Sequence, residues 1–192
     1  MAGLSFGKKR KRRQINYELL QEILGWIFQI ALVCFLAFLL QWYFGMKVGV
    51  IGDSMQPQLA SEDMTRINRL VYDTRKPRRG EVIAFWPNGN DNAHCSIKRI
   101  VGLPGETVSC KDGKLLINGE VLKEKYKTTK IENPGLLEEE IVLGANEYFV
   151  LGDDRQSSED SRSANVGNVK REEIAGKVWI VISPWNHIKL VR

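Results

Sequence analysis

ILGWIFQIALVCFLAFLLQWYFGM, residues 23–46, runs for 24 positions between Glu22 and Lys47 without a charged side chain. A helix crossing the hydrocarbon core of a bilayer needs about 20 such residues. It also satisfies its own backbone polar groups, as lipid demands. Trp42 and Tyr43 stand near the far end, where amphipathic rings favour the membrane–water interface. A removable export signal would carry an apolar run of only about 7–15 residues and a small-residue exit site. This run is longer and closes on bulky aromatics, which favours a retained transmembrane anchor.

On its N-terminal side lies KKRKRR, residues 8–13. Residues 1–22 hold six basic and two acidic side chains, a net +4, whereas residues 47–192 hold 22 and 21, a net +1. The basicity of the chain therefore belongs to a tail. A domain so close to neutral lacks the electrostatic footprint of a nucleic-acid binder, so no nucleic-acid partner is expected. The positive-inside rule keeps the tail in the cytoplasm and sends the rest outside. Three parts follow: residues 1–22 a basic cytoplasmic tail, residues 23–46 a transmembrane anchor, and residues 47–192 an extracytoplasmic domain.

On the C-terminal side the periodicity shortens. Residues 81–86, 97–102, 114–117, 147–151 and 177–182 are short runs rich in Val, Ile and aromatics, bounded by turn residues, and read as strands. Asn118-Gly119 between Leu-Leu-Ile and Glu-Val-Leu is a two-residue hairpin signal, and Asp112-Gly113 is a further turn. Residues 126–140 are polar and charged and read as an exposed excursion. The predicted fold is mostly β, with no long amphipathic helix beyond the anchor. Three cysteines make no disulfide framework; Cys34 lies in the apolar run, while Cys95 and Cys110 are left open as a pair. With two histidines, His94 and His187, and no Cys/His cluster at ligand spacing, no metal site is expected.

Four stretches carry chemistry or support it. In GDSMQP, residues 52–57, Gly52 and Pro57 bracket Ser54 in a restricted turn that can expose a hydroxyl and leave a backbone N–H for an oxyanion. In SIKRIVGLPGE, residues 96–106, Lys98 interrupts an apolar strand, where burying a charge is costly. If its face is the buried one, desolvation lowers its pKa and lets it act as a neutral base. The alternative is a lysine snorkelling at a sheet edge. RGEVIAF, residues 79–85, is a turn feeding a scaffold strand. GDDRQSSEDSR, residues 152–162, is by composition a solvated loop, and as a site it offers hydroxyls and an Asp160–Arg162 charge pair. No Ser-His-Asp triad is readily assembled around Ser54.

These four, in this order behind an anchor, resemble the sequence boxes of bacterial type I signal peptidases. The resemblance implies a catalytic domain of coiled antiparallel sheets that removes signal peptides from exported preproteins, without a cofactor. It implies Ser54 as nucleophile, Lys98 as general base, Ser158 as the hydroxyl orienting that lysine, and Asp160 and Arg162 as a structural pair. It further implies contact with the lipid bilayer of the cell membrane and proximity to the export translocon. Three positions depart from the pattern. Gly52 stands where some members carry a serine at the oxyanion hole, Gln58 where threonine is frequent, and Asp154 where asparagine is usual. Two rivals are a self-cleaving repressor-type protease, opposed by an anchor where a DNA-binding module belongs, and a non-catalytic membrane-tethered β domain, opposed by intact Ser54 and Lys98.

Overall fold

The computed structural model describes residues 16–44, 46–90 and 92–191; the basic run at residues 8–13 lies outside them. The chain divides into two compact units, residues 1–40 and residues 41–192. Helix α1, Tyr17–Phe44, takes up the apolar run and begins about two turns ahead of it, carrying Glu18 in its first turn. At 1.5 Å per residue its length is about 40 Å, enough to cross a bilayer. Its large apolar side chains, from Tyr17 through Phe28 and Val33 to Trp42, are exposed. A helix that is apolar on all sides suits an apolar surrounding.

The second unit is built on antiparallel β-structure. Its strands are β1 (Lys47–Gly49), β2 (Met64–Asn68), β3 (Val82–Phe85), β4 (Ser96–Gly102), β5 (Thr107–Lys111), β6 (Lys114–Ile117), β7 (Glu120–Val121), β8 (Ile141–Val142), β9 (Glu147–Leu151), β10 (Val169–Lys170), β11 (Ile174–Ser183) and β12 (Lys189–Leu190). One sheet has the order β1-β2-β11-β3-β4-β9-β10, with β12 against β11; the other has the order β7-β6-β5-β8. Strand β11 pairs with β3 through its first half and with β2 through its second, shifting register near Gly176, Val178 and Val181. Such bulges sharpen the local twist, and the sheet curls.

Three apolar clusters fill the fold. Val48, Met55, Leu59, Ile67, Val82, Ala84, Ile97 and Val178 form the one beneath the Ser54 loop. A second gathers on the smaller sheet around Val108, Leu115, Leu137 and Phe149. A third holds Tyr72, Ile83, Phe85, Ile100 and Tyr148.

Strands at residues 114–117 and 147–151 lie where the sequence placed them. Both dipeptide turns are hairpins with positive φ at their two central residues, 53° and 71° for Asp112-Gly113 and 52° and 81° for Asn118-Gly119. That is the type I′ geometry that matches strand twist. Residues 126–140 differ from the expected excursion. Ile131 and Leu137 are buried in the second cluster and Tyr126 lies against Arg99, so apolar residues spaced among charges pin the segment down. Cys34, Cys95 and Cys110 are free thiols.

Candidate active site

Ser54 sits on the loop between β1 and β2, and the loop is fixed on both sides of it. Met55 and Leu59 are fully buried in the core beneath, and the Leu59 amide donates to the Met55 carbonyl at 2.8 Å. Burying a side chain the size of methionine stabilises by about 1.5–3 kcal/mol. The residue after the serine is thus an anchor that holds the backbone while the hydroxyl stays at the surface of the core. Gln56 closes the turn, donating through its amide to the Asp53 carbonyl (2.9 Å) and through its side chain to the Asp53 carboxylate (2.7 Å).

Lys98 lies on β4, paired across to Ile83 of β3, and is 7 % exposed. Its Nζ stands 2.8 Å from Ser54 Oγ. Burial pushes the amine's pKa down, against an opposing pull from the carboxylates of Asp160 and Glu159. The Lys98 face of the strand is therefore buried, as is the opposite one, and the snorkelling alternative is ruled out. The pair opens into a pocket of about 320 Å³ lined by residues 49–55, by residues 94–98, and by Ser157 and Glu159.

The loop after β9 closes this arrangement from the other side. Arg162 holds Asp160 with two bonds, Nε to Oδ1 at 2.8 Å and Nη2 to Oδ2 at 3.0 Å. Asp160 also accepts from the Gly152 amide at 3.1 Å, and Arg162 reaches the carbonyls of Arg155 (2.7 Å) and Asn133 (3.0 Å). The Asp154 amide donates to the Ser54 carbonyl at 3.0 Å, joining the two loops. Gly152 makes that approach feasible: a Cβ there would lie 2.5 Å from the Ser54 carbonyl oxygen and 2.2 Å from Ser158 Oγ. No side chain fits such a gap.

Peptide-bond hydrolysis by a serine needs a base within reach of its hydroxyl, and a buried lysine 2.8 Å from Ser54 Oγ stands where such a base would be. Comparison with known proteins agrees. Residues 23–185 match the family described as signal peptidase, peptidase S26. The chain belongs to this family. It is 31 % identical to signal peptidase I P of Bacillus subtilis subsp. natto over 188 residues, covering 94 % of this chain and 97 % of that protein. It is 32 % identical to signal peptidase I S of Bacillus subtilis (strain 168) over 182 residues, 91 % and 96 % of the two. With signal peptidase IB of Staphylococcus aureus (strain COL) it shares 29 % over 184 residues, 88 % and 94 % of the two. A solved signal peptidase I from Enterococcus faecalis V583 aligns at 34 % identity and a TM-score of 0.42, covering 57 % of this chain and 98 % of that one.

Among the positions the signal peptidase pattern singles out, Ser54 with Lys98 and Asp160 with Arg162 come together directly. Ser158 does not meet Lys98. Its Oγ lies against Gly152, buried, with no hydrogen-bond partner among the described residues. Gly52 has φ +74°, in the left-handed region, with open space where a Cβ would stand. Room exists there for a side chain, but an L residue would be strained at this φ. Gln58 lies beyond the Ser54 turn, and Asp154 accepts from Ser157 (2.5 Å) and Thr129 (2.9 Å), bonds that hold its carboxyl below the usual carboxylate range.

Sequence reasoning missed a second buried ion pair. Arg99, adjacent to Lys98 and facing the other way, binds Asp153 through Nε (2.7 Å) and Nη2 (2.6 Å), with both side chains essentially unexposed. Its Nη1 donates to the Gly80 carbonyl at 2.7 Å, and its guanidinium lies 4.1 Å from the centre of the Tyr126 ring. The pair ties the Lys98 strand to the loop that contacts Ser54. A charged residue inside an apolar strand was the available signal, and it was spent on Lys98 alone.

Proposed function

We propose that the chain is a membrane-anchored signal peptidase I, a serine endopeptidase that removes signal peptides from exported preproteins with Ser54 as nucleophile and Lys98 as general base. The observation that carries this reading is the 2.8 Å contact between Ser54 Oγ and the buried Lys98 Nζ. Ser54 Oγ attacks the carbonyl carbon of the scissile bond as its proton passes to neutral Lys98. The protonated lysine then gives that proton to the leaving amine of the mature chain. Water attacks the acyl-Ser54 ester, losing its proton to Lys98; the ester C–O bond breaks, Lys98 returns the proton to Ser54 Oγ, and the signal peptide is freed. With no side chain at Gly52, the oxyanion is met by backbone N–H groups such as that of Ser54. Asp160 and Arg162 hold the loop that backs the dyad, and Ser158, close by on that loop, orients the lysine once it turns toward it.

Helix α1 anchors the enzyme in the cell membrane with residues 1–22 in the cytoplasm and residues 47–192 outside. Ser54 follows the helix end by ten residues, so the connecting chain spans at most roughly 35 Å. That keeps the dyad near the bilayer, where the translocon releases preproteins.

Detergent-solubilised full-length protein incubated with a secretory precursor should yield the mature chain cut at one bond. An uncut precursor would remove the peptidase reading. Protease added outside intact spheroplasts should digest residues beyond Lys47; complete protection would reverse the orientation.

A further inference from the structure

Beyond the dyad pocket the second unit carries a larger cleft of about 890 Å³, lined among others by Pro57, Gln58, Tyr126, Lys123, Lys125 and Lys127. Pro57 follows Ser54 by three residues, so the cleft's near wall lies within roughly 11 Å of chain from the nucleophile. Along its far wall exposure alternates. Glu124 and Tyr126 turn inward, one to Arg155 and the other onto Arg99, while Lys123, Lys125 and Lys127 are exposed. None of the three lysines is ion-paired among the described residues. The cleft's other charges are already matched: Glu81 with Arg75 and Lys177, Arg79 with Glu106, and Glu124 with Arg155. The uncompensated charge of the cleft is therefore a row of lysines.

A peptide lying across Ser54 has two arms. The pocket between residues 49–55 and 94–98 offers a place for one, and the cleft that begins at Pro57 and Gln58 offers a place for the other. We infer that this second arm, the first residues of the mature chain, runs into the lysine-lined cleft, and that the cleft favours acidic side chains there. The inference rests on the peptidase reading and deepens it by naming a feature of the substrate. Exposed ion pairs are individually weak, so the effect is one of selectivity among substrates and not of catalytic power.

The test uses full-length protein in detergent and two peptides identical through the cut, carrying aspartates or lysines beyond the second mature residue. At low ionic strength the acidic peptide should show a KM roughly three- to tenfold lower, with kcat little changed. The triple variant Lys123→Glu/Lys125→Glu/Lys127→Glu should reverse that order. Both differences should fade as salt shortens the screening length to about 3 Å at 1 M. Equal KM values, untouched by the triple variant, would overturn the cleft assignment and leave the peptidase reading standing. Failure to cut either peptide would remove both. A loss on both peptides alike, seen only with anionic phospholipid vesicles, would give the lysines to lipid headgroups and overturn the assignment.

Discussion

Lys98→Ala and Ser54→Ala should each lower kcat/KM for precursor cleavage by about 10⁴-fold or more, with the double variant scarcely worse than either single one. The two side chains act as one unit across a 2.8 Å contact, so removing either leaves the other without a function. Lys98 is the titratable side chain hydrogen-bonded to Ser54 Oγ; Asp160 and Asp53 are engaged with Arg162 and Gln56, and His94 and Glu159 line the same pocket. Lys98→Met separates chemistry from packing. It refills the buried volume with an uncharged chain and should be as inactive as the alanine variant. Both should unfold within a few degrees of the unaltered protein, because Lys98 contributes a buried polar group and not an apolar core contact. Cleavage rates and circular dichroism melts on the same preparations check this; substantial turnover in any of these variants would break the dyad.

Asp153→Ala should be the most destabilising single change outside the apolar core. The Arg99–Asp153 pair is fully withdrawn from water, and deleting the carboxylate takes from a buried guanidinium the anion that two of its nitrogens hold. Breaking such a pair costs about 3–5 kcal/mol, which lowers Tm by roughly 10 °C for a domain of this size. Asp153→Asn keeps an acceptor and should lose less. The half-exposed Lys177–Glu81 pair at 3.1 Å supplies the contrast: Lys177→Ala should cost under about 1 kcal/mol. Thermal unfolding of the three variants in detergent gives the ranking. Equal melting temperatures for Asp153→Ala and Lys177→Ala would contradict the account of the buried pair. Activity should fall with stability in Asp153→Ala, since Asp153 precedes the residue whose amide holds the Ser54 carbonyl.

Much of this was legible in residue order because local chemistry dictates it. An uncharged run of helix-forming residues specifies α1 wherever it sits. Asp-Gly and Asn-Gly tolerate the positive φ that tight hairpins need, so β6 and its hairpin to β7 could be located from the Asn118-Gly119 turn, whereas β5 was read only as far as the Asp112-Gly113 turn that ends it. The motif around Ser54 was readable for a related reason. Gly52 and Pro57 bracket the serine in a restricted turn, while the anchoring of that turn by buried Met55 and Leu59 is visible only in the structure.

What stayed hidden depends on pairing across the chain. Strand β2 reads MTRIN, too polar to announce itself, yet Thr65 and Ile67 are fully buried because β1 and β11 flank it. Strand β11 is longer than its apolar run because Gly176 and successive bulges let it pass from one neighbour to another. Arg99 and Asp153 stand 54 residues apart, and only the β4–β9 pairing shows that each neutralises the other. The same pairing explains how Lys98 can be buried next to Arg99: the two side chains leave the strand on opposite faces.

The central claim is that a buried, uncharged Lys98 takes the proton of Ser54. The pH profile of kcat/KM for precursor cleavage tests it most directly. Burial lowers the lysine's folded-state pKa, and only the deprotonated amine can accept a proton. Activity should therefore be absent in acid and rise with pH through a single ionisation below the ordinary lysine value of about 10.4. A profile flat across that range, or one whose only rise falls in the carboxylate range, would contradict it.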